Sequence, residues 1–107
     1  MKAYTDIEQS KVLVEILPFE SADMGWYYSN DPYAARNQMW LGTKVEGSDI
    51  PAWSLSALLN VLPSATLDSS DDHHYRVHCR ERFTEWHENA IDSCVEMIVK
   101  LHEKRLL

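Results

Sequence analysis

The sequence predicts an α+β fold: a single small domain over residues 1–107, with the element order α-β-β-α-β-β-α. A four-stranded, mainly antiparallel sheet would carry the helices on one face. Three observations predict this. Two apolar runs with helical spacing, "KVLVEILP" (11–18) and "SALLNVLP" (56–63), each stop at Leu-Pro. Two stretches, "MGWYYS" and "HHYRVHCRE", have the aromatic density or the strict alternation of strands. A third helical stripe closes the chain after Asn89.

The first helix is expected from Asp6 to Leu17, with Thr5 as N-cap and Glu8 three residues on in capping-box spacing. Ile7, Ser10, Leu13, Val14 and Leu17 fall on one stripe, and Pro18 stops the helix by forcing the preceding residue out of the α region. "MGWYYS" then reads as a strand, "NDP" (30–32) as a turn, "QMWLGTKV" as a second strand and "EGSD" (46–49) as a loop. The second helix starts at Pro51 or at Ser54 and ends at Leu62, with Leu55, Leu58, Leu59 and Leu62 as its stripe. These leucines match Ser10, Leu13, Val14 and Leu17 in phase, which predicts an internal αββ repeat over 5–46 and 51–87. The competing reading is that Leu-Pro ends any helix cheaply.

"SATLDSSDD" (64–72) is polar and reads as a loop. In "HHYRVHCRE", Tyr75, Val77 and Cys79 share one face, with His74, Arg76, His78 and Arg80 on the other. "RFTEWH" makes a short partner strand anchored by Phe83 and Trp86. The closing helix spans 89–105, with Asn89 as N-cap, Asp92 at N3, and Ile91, Cys94, Val95, Ile98 and Leu101 buried.

Seventeen acidic against ten basic residues leave a net charge of −7. Phosphate neutralisation drives nucleic-acid binding, so this charge argues against direct contact with DNA or RNA; an acidic surface could instead imitate nucleic acid for a basic partner. The opening "MKAYTDIEQS" lacks the apolar core of a signal peptide, and no apolar run approaches the ~20 residues of a membrane span. A cytoplasmic protein with reduced Cys79 and Cys94 is expected.

The segments "DIEQSKVLVEILPFESADM", "IPAWSLSALLNVLP" and "EWHENAIDSCVEMIVKLHEKRLL" resemble a family of small proteins carried by phages and integrative mobile elements of gut anaerobic bacteria. The resemblance covers the start, centre and end of the chain and lapses at 29–38 and 64–74. Within it, the family pattern has proline at the position of Ala90 and alanine at that of Ser93. It implies a bacterial cytoplasm and a mobile-element setting, and it carries no activity or catalytic residues with it.

The histidine-rich stretch is the candidate for chemistry. His74 and His78 share a strand face but stand ~13 Å apart at ~3.3 Å per residue. One metal with ligands at ~2.0–2.1 Å cannot take both. A site would need His73 or His74 with Asp71 or Asp72, or His78 with His87 across a hairpin. Cys79 with His87 could form a nucleophile pair, but a thiol on an apolar face carries little thiolate. Glu85 and Glu88 are a carboxylate pair with no sign of burial, and the three glycines build no phosphate loop.

No enzyme and no cofactor are therefore expected. The preferred reading is a non-enzymatic accessory or regulatory protein that binds another protein, or itself as a homodimer. Its surface would be the aromatic hairpin with Trp26, Tyr28, Tyr33 and Trp40. The alternative is a metal-binding or metal-dependent hydrolytic protein using His73, His74, His78 and His87.

Overall fold

The structure, a computed structural model, describes residues 2–28, 39–43 and 47–107. Tyr33 of the expected hairpin lies outside the described residues, and the strands at Tyr28, Met39 and Trp40 are described for their backbone. Three helices and two three-stranded antiparallel sheets make a small α+β domain. The order is α1 (Ile7–Leu13), β1 (Met24–Tyr28), β2 (Met39–Gly42), β3 (Ile50–Ala52), α2 (Leu55–Val61), β4 (Ala65–Ser69), β5 (Tyr75–Cys79), β6 (Arg82–Phe83) and α3 (Ala90–Glu103).

The first sheet runs β2-β1-β3 and the second β4-β5-β6, which corrects the expected single four-stranded sheet and the α-β-β-α-β-β-α order. Each predicted pair of strands gains a third member on its open edge. β3 was hidden by Pro51, which reads as a helix start. As an edge strand it has no ladder partner on one side, so the missing N–H of Pro51 is tolerated opposite Gly25. β4 was hidden by its serines and aspartate. Its two-residue period is nevertheless real, because Ala65 and Leu67 pack on the core while Thr66 is exposed. The segment 64–72 is thus a strand and a hairpin connection, tied by the Ser70 N–H to the His74 carbonyl at 2.9 Å.

Both Leu-Pro helices are followed by a three-stranded sheet. The central strand is the first of its three in one half, β1, and the second in the other, β5. The leucines of the two stops, Leu17 and Leu62, nonetheless enter the same core, as do Leu13 and Leu58 a turn earlier.

α1 starts one residue later than expected. Asp6, not Thr5, is the N-cap, accepting from the Gln9 amide at 2.7 Å while the Gln9 side-chain oxygen accepts from the Asp6 amide at 3.2 Å. The Thr5 hydroxyl is committed elsewhere: it pairs with the Ser10 hydroxyl at 2.7 Å and accepts from the Trp53 amide at 3.1 Å, all within the core. The helix ends at Leu13, and Glu15 and Ile16 close tight turns back to Val12 and Leu13 before Pro18. Val14, expected in the stripe, is exposed.

α2 is capped by Ser54, whose side chain accepts from the Ala57 amide. Leu62 leaves the helix in extended backbone, as the residue before proline must. α3 is capped by Asn89 as expected, and buries Ile91, Cys94, Ile98 and Leu101 together with Ser93 and Met97. It lies across β5 and against α2, while α1 rests on β3. Trp53, fully buried beside the start of α2, joins this core. Asp92 ties the N-termini of two helices: Lys2 (2.8 Å) and the Gln9 amide group (2.6 Å) donate to one oxygen and the Asn89 amide group (2.9 Å) to the other.

Candidate interaction face

Val77 and Cys79 point inward from β5, so Arg76 and His78 project from the outer face of the second sheet. The two-residue turn Arg80-Glu81 sets the register of β6 and brings Phe83 opposite His78. Their rings stack with centroids 4.2 Å apart and planes 3° from parallel. Beyond Phe83 the chain continues to a bridge between His87 and Tyr75, which carries Trp86 back over the same face.

Arg76 stands between the two rings, its guanidinium carbon 4.6 Å from the Phe83 centroid and 4.6 Å from that of Trp86. The geometry is that of a cation–π contact made twice. Asp68, directly across on β4, accepts from Arg76 Nε at 3.3 Å and fixes the guanidinium in place. Phe83 and Trp86, expected as the anchors of the short partner strand, are 47% and 45% exposed. Aromatics default to the core in a sequence reading, but the inner face here is already filled by Val77, Cys79 and α3. The signal that could have placed Phe83 outward was available: a two-residue turn after Cys79 pairs it with the outward His78.

The four candidate histidines occupy separate environments. His78 is stacked on Phe83. His87 shares a hydrogen bond of 2.8 Å with Glu96. His74 lines a 400 Å³ hollow with Ser70, Asp72 and Trp86, while His73 borders a 610 Å³ cleft among Lys2, Leu55, Leu67 and Tyr75. Among the described residues, no three His, Cys, Asp or Glu side chains stand where they could hold a metal ion. Cys79 and His87 are likewise not joined, since the Cys79 thiol donates to the Pro63 carbonyl at 2.8 Å. Burial pushes the Cys94 thiol up to about 12.

Glu96 is the most heavily bonded carboxylate behind this face. Lys100 (2.9 Å), His87 (2.8 Å) and the Glu85 amide (3.2 Å) all reach it. Partial burial alone would raise its affinity for a proton, but these partners outweigh burial and hold it below the ordinary carboxylate range.

The expected aromatic hairpin is a true antiparallel pair, with Tyr28 opposite Met39 and Tyr27 opposite Trp40. Trp26 is half-buried and occupied: its indole N–H donates to the Thr5 carbonyl at 3.1 Å and its ring meets Tyr4 edge-on. Trp26 therefore fastens the N-terminal segment to β1.

No protein-family model matches the chain, and neither a curated protein nor a solved structure is significantly similar to it. Among the described residues no helix is long and apolar enough to cross a membrane.

Proposed function

We propose that the chain is a non-enzymatic accessory protein that binds a basic protein partner through the outer face of its second sheet. The observation that carries this reading is the exposed Phe83–Arg76–Trp86 stack. Trp and Arg dominate interface hot spots, and here they are held rigid before any partner arrives, so little side-chain entropy is lost on binding. Asp68 pairs with Arg76 and Asp72 lies beside Trp86, while Arg82, Lys100 and Lys104 share a hollow with Phe83 and Glu103. A chain of net charge −7 favours a partner rich in Lys and Arg, to which the exposed rings offer an apolar anchor. The resemblance to mobile-element proteins supplies the setting, a bacterial cytoplasm with the partner drawn from host or element.

The test compares wild-type protein with the Phe83→Ala, Trp86→Ala double variant in co-purification from such a host. The same basic protein should be retained by the first and lost by the second, with unchanged circular dichroism. Equal retention by both would move the interface elsewhere.

A further inference from the structure

At the other end of β5, the turn into β6 and the end of α3 enclose a cavity of about 330 Å³. Its wall is apolar. Leu106 N–H donates to the Leu101 carbonyl at 2.8 Å and Arg105 N–H to that of His102 at 3.0 Å, a Schellman ending that folds Leu106 back along the helix. Leu101 and Leu106 line the cavity together with Pro63 and Cys79, and the Cys79 thiol is already engaged by the Pro63 carbonyl.

The mouth is cationic. Arg80 and Arg82 both line it, both are exposed, and neither guanidinium has an ion-pair or hydrogen-bond partner among the described residues. Arg80 also sits at φ 57, a left-handed position in a two-residue turn that favours glycine. A long cationic side chain stands there against the preference of the backbone. Glu81, between the two arginines, also borders the cavity and leaves the turn a formal charge of +1. That residual charge suits a single negative charge better than a phosphate dianion.

We infer that this cavity binds an apolar monocarboxylate: an aliphatic or aromatic group seated on Leu101, Leu106 and Pro63, its carboxylate gripped by Arg80 and Arg82. The volume sits at the lower end of the ~300–1,000 Å³ typical of small-ligand sites, and planar guanidinium forks match a carboxylate. Two sources share this chemistry, a free acid and the C-terminus of a peptide ending in an apolar residue. The site is separate from the Phe83–Trp86 face and stands without it.

The experiment is an NMR titration of the full chain with octanoate, and with octanol as the uncharged control. Acetyl-Ala-Leu with a free or an amidated C-terminus forms the peptide arm. Octanoate should shift the Leu101 and Leu106 methyl signals and bind about tenfold or more tightly than octanol. Arg82→Ala should weaken octanoate by a similar factor. Arg80→Gly should weaken it too without lowering the melting temperature, because glycine relieves the left-handed backbone; this variant separates binding from folding. Tighter binding of the free peptide than of octanoate assigns the source to a peptide C-terminus, and the reverse order to a free acid. Equal binding of octanol and octanoate, unshifted Leu101 and Leu106, or full affinity in both arginine variants would overturn the site.

Discussion

The guanidinium of Arg76 lies 4.6 Å from the centroid of the Trp86 ring, and Asp68 holds it there through Nε. An arginine so placed has lost most of its rotamer freedom before it meets anything else. The cost of ordering it is met by folding, which leaves the exposed edges of Trp86 and Phe83 available as a rigid surface.

Replacing Trp86 by alanine should therefore separate stability from binding. The ring is exposed, so its loss removes one surface cation–π contact, worth ~0.5–1 kcal/mol. A shift above ~2 kcal/mol in urea unfolding would instead mark Trp86 as a structural anchor. Partner affinity, by contrast, should fall by ~2 kcal/mol or more if the residue is a hot spot.

Thr5→Val tests the buried polar knot. The change keeps the shape of the side chain but leaves the Ser10 hydroxyl without its partner and the Trp53 amide without an acceptor. A loss of ~1–3 kcal/mol is expected for stranding such groups, read from the denaturant midpoint. Ser10→Ala alone should cost less, since Thr5 retains the Trp53 amide.

Leu58 is fully buried in the core that it shares with Leu13, Leu17 and the closing helix. Leu58→Ala should cost ~2–5 kcal/mol, and Leu13→Ala, at the matching phase of α1, should fall in the same range. Val14→Ala, one residue further on and exposed, should change stability by less than ~0.5 kcal/mol. Thermal unfolding of the three variants checks these costs, and a Leu13→Ala, Leu58→Ala double variant that departs from additivity would show the two helices coupled through one core.

The acid side of the stability profile should be set by Glu96 and Asp92. Burial raises both, and hydrogen bonds outweigh it and lower them, from ordinary values of 4.5 and 3.8. A carboxyl held low in the folded state binds fewer protons there than in the unfolded chain. Its stabilisation is present above its ordinary value and disappears as the pH falls through the lower folded value. The melting temperature should drop below about pH 4.5 in wild type. In Glu96→Gln the drop should be shallower. An identical acid slope in that variant would remove Glu96 from the explanation.

The sequence exposed the parts of this fold that rest on local periodicity. The stripes of α2 and α3, the Asn89 cap and the in–out alternation of Tyr75–Cys79 are all where spacing put them. What it concealed depended on partners distant in the chain. β3 is a strand because β1 offers Pro51 an edge, and Asp6 caps α1 because Trp53 and Ser10 claim the Thr5 hydroxyl. The proposed binding face was concealed for the same reason. Arg76, Phe83 and Trp86 are unremarkable one at a time, and only the pairing of β5 with β6 stacks them.

The most direct measurement is site-specific photo-crosslinking in a host lysate, with the photoreactive residue at position 66, exposed on β4 opposite His78, in one protein and at position 12, on the exposed face of α1, in another. The account predicts a discrete protein adduct from position 66, weakened at high salt and suppressed by Arg76→Ala, with none from position 12. The same adduct from both positions, or from position 12 alone, would contradict it.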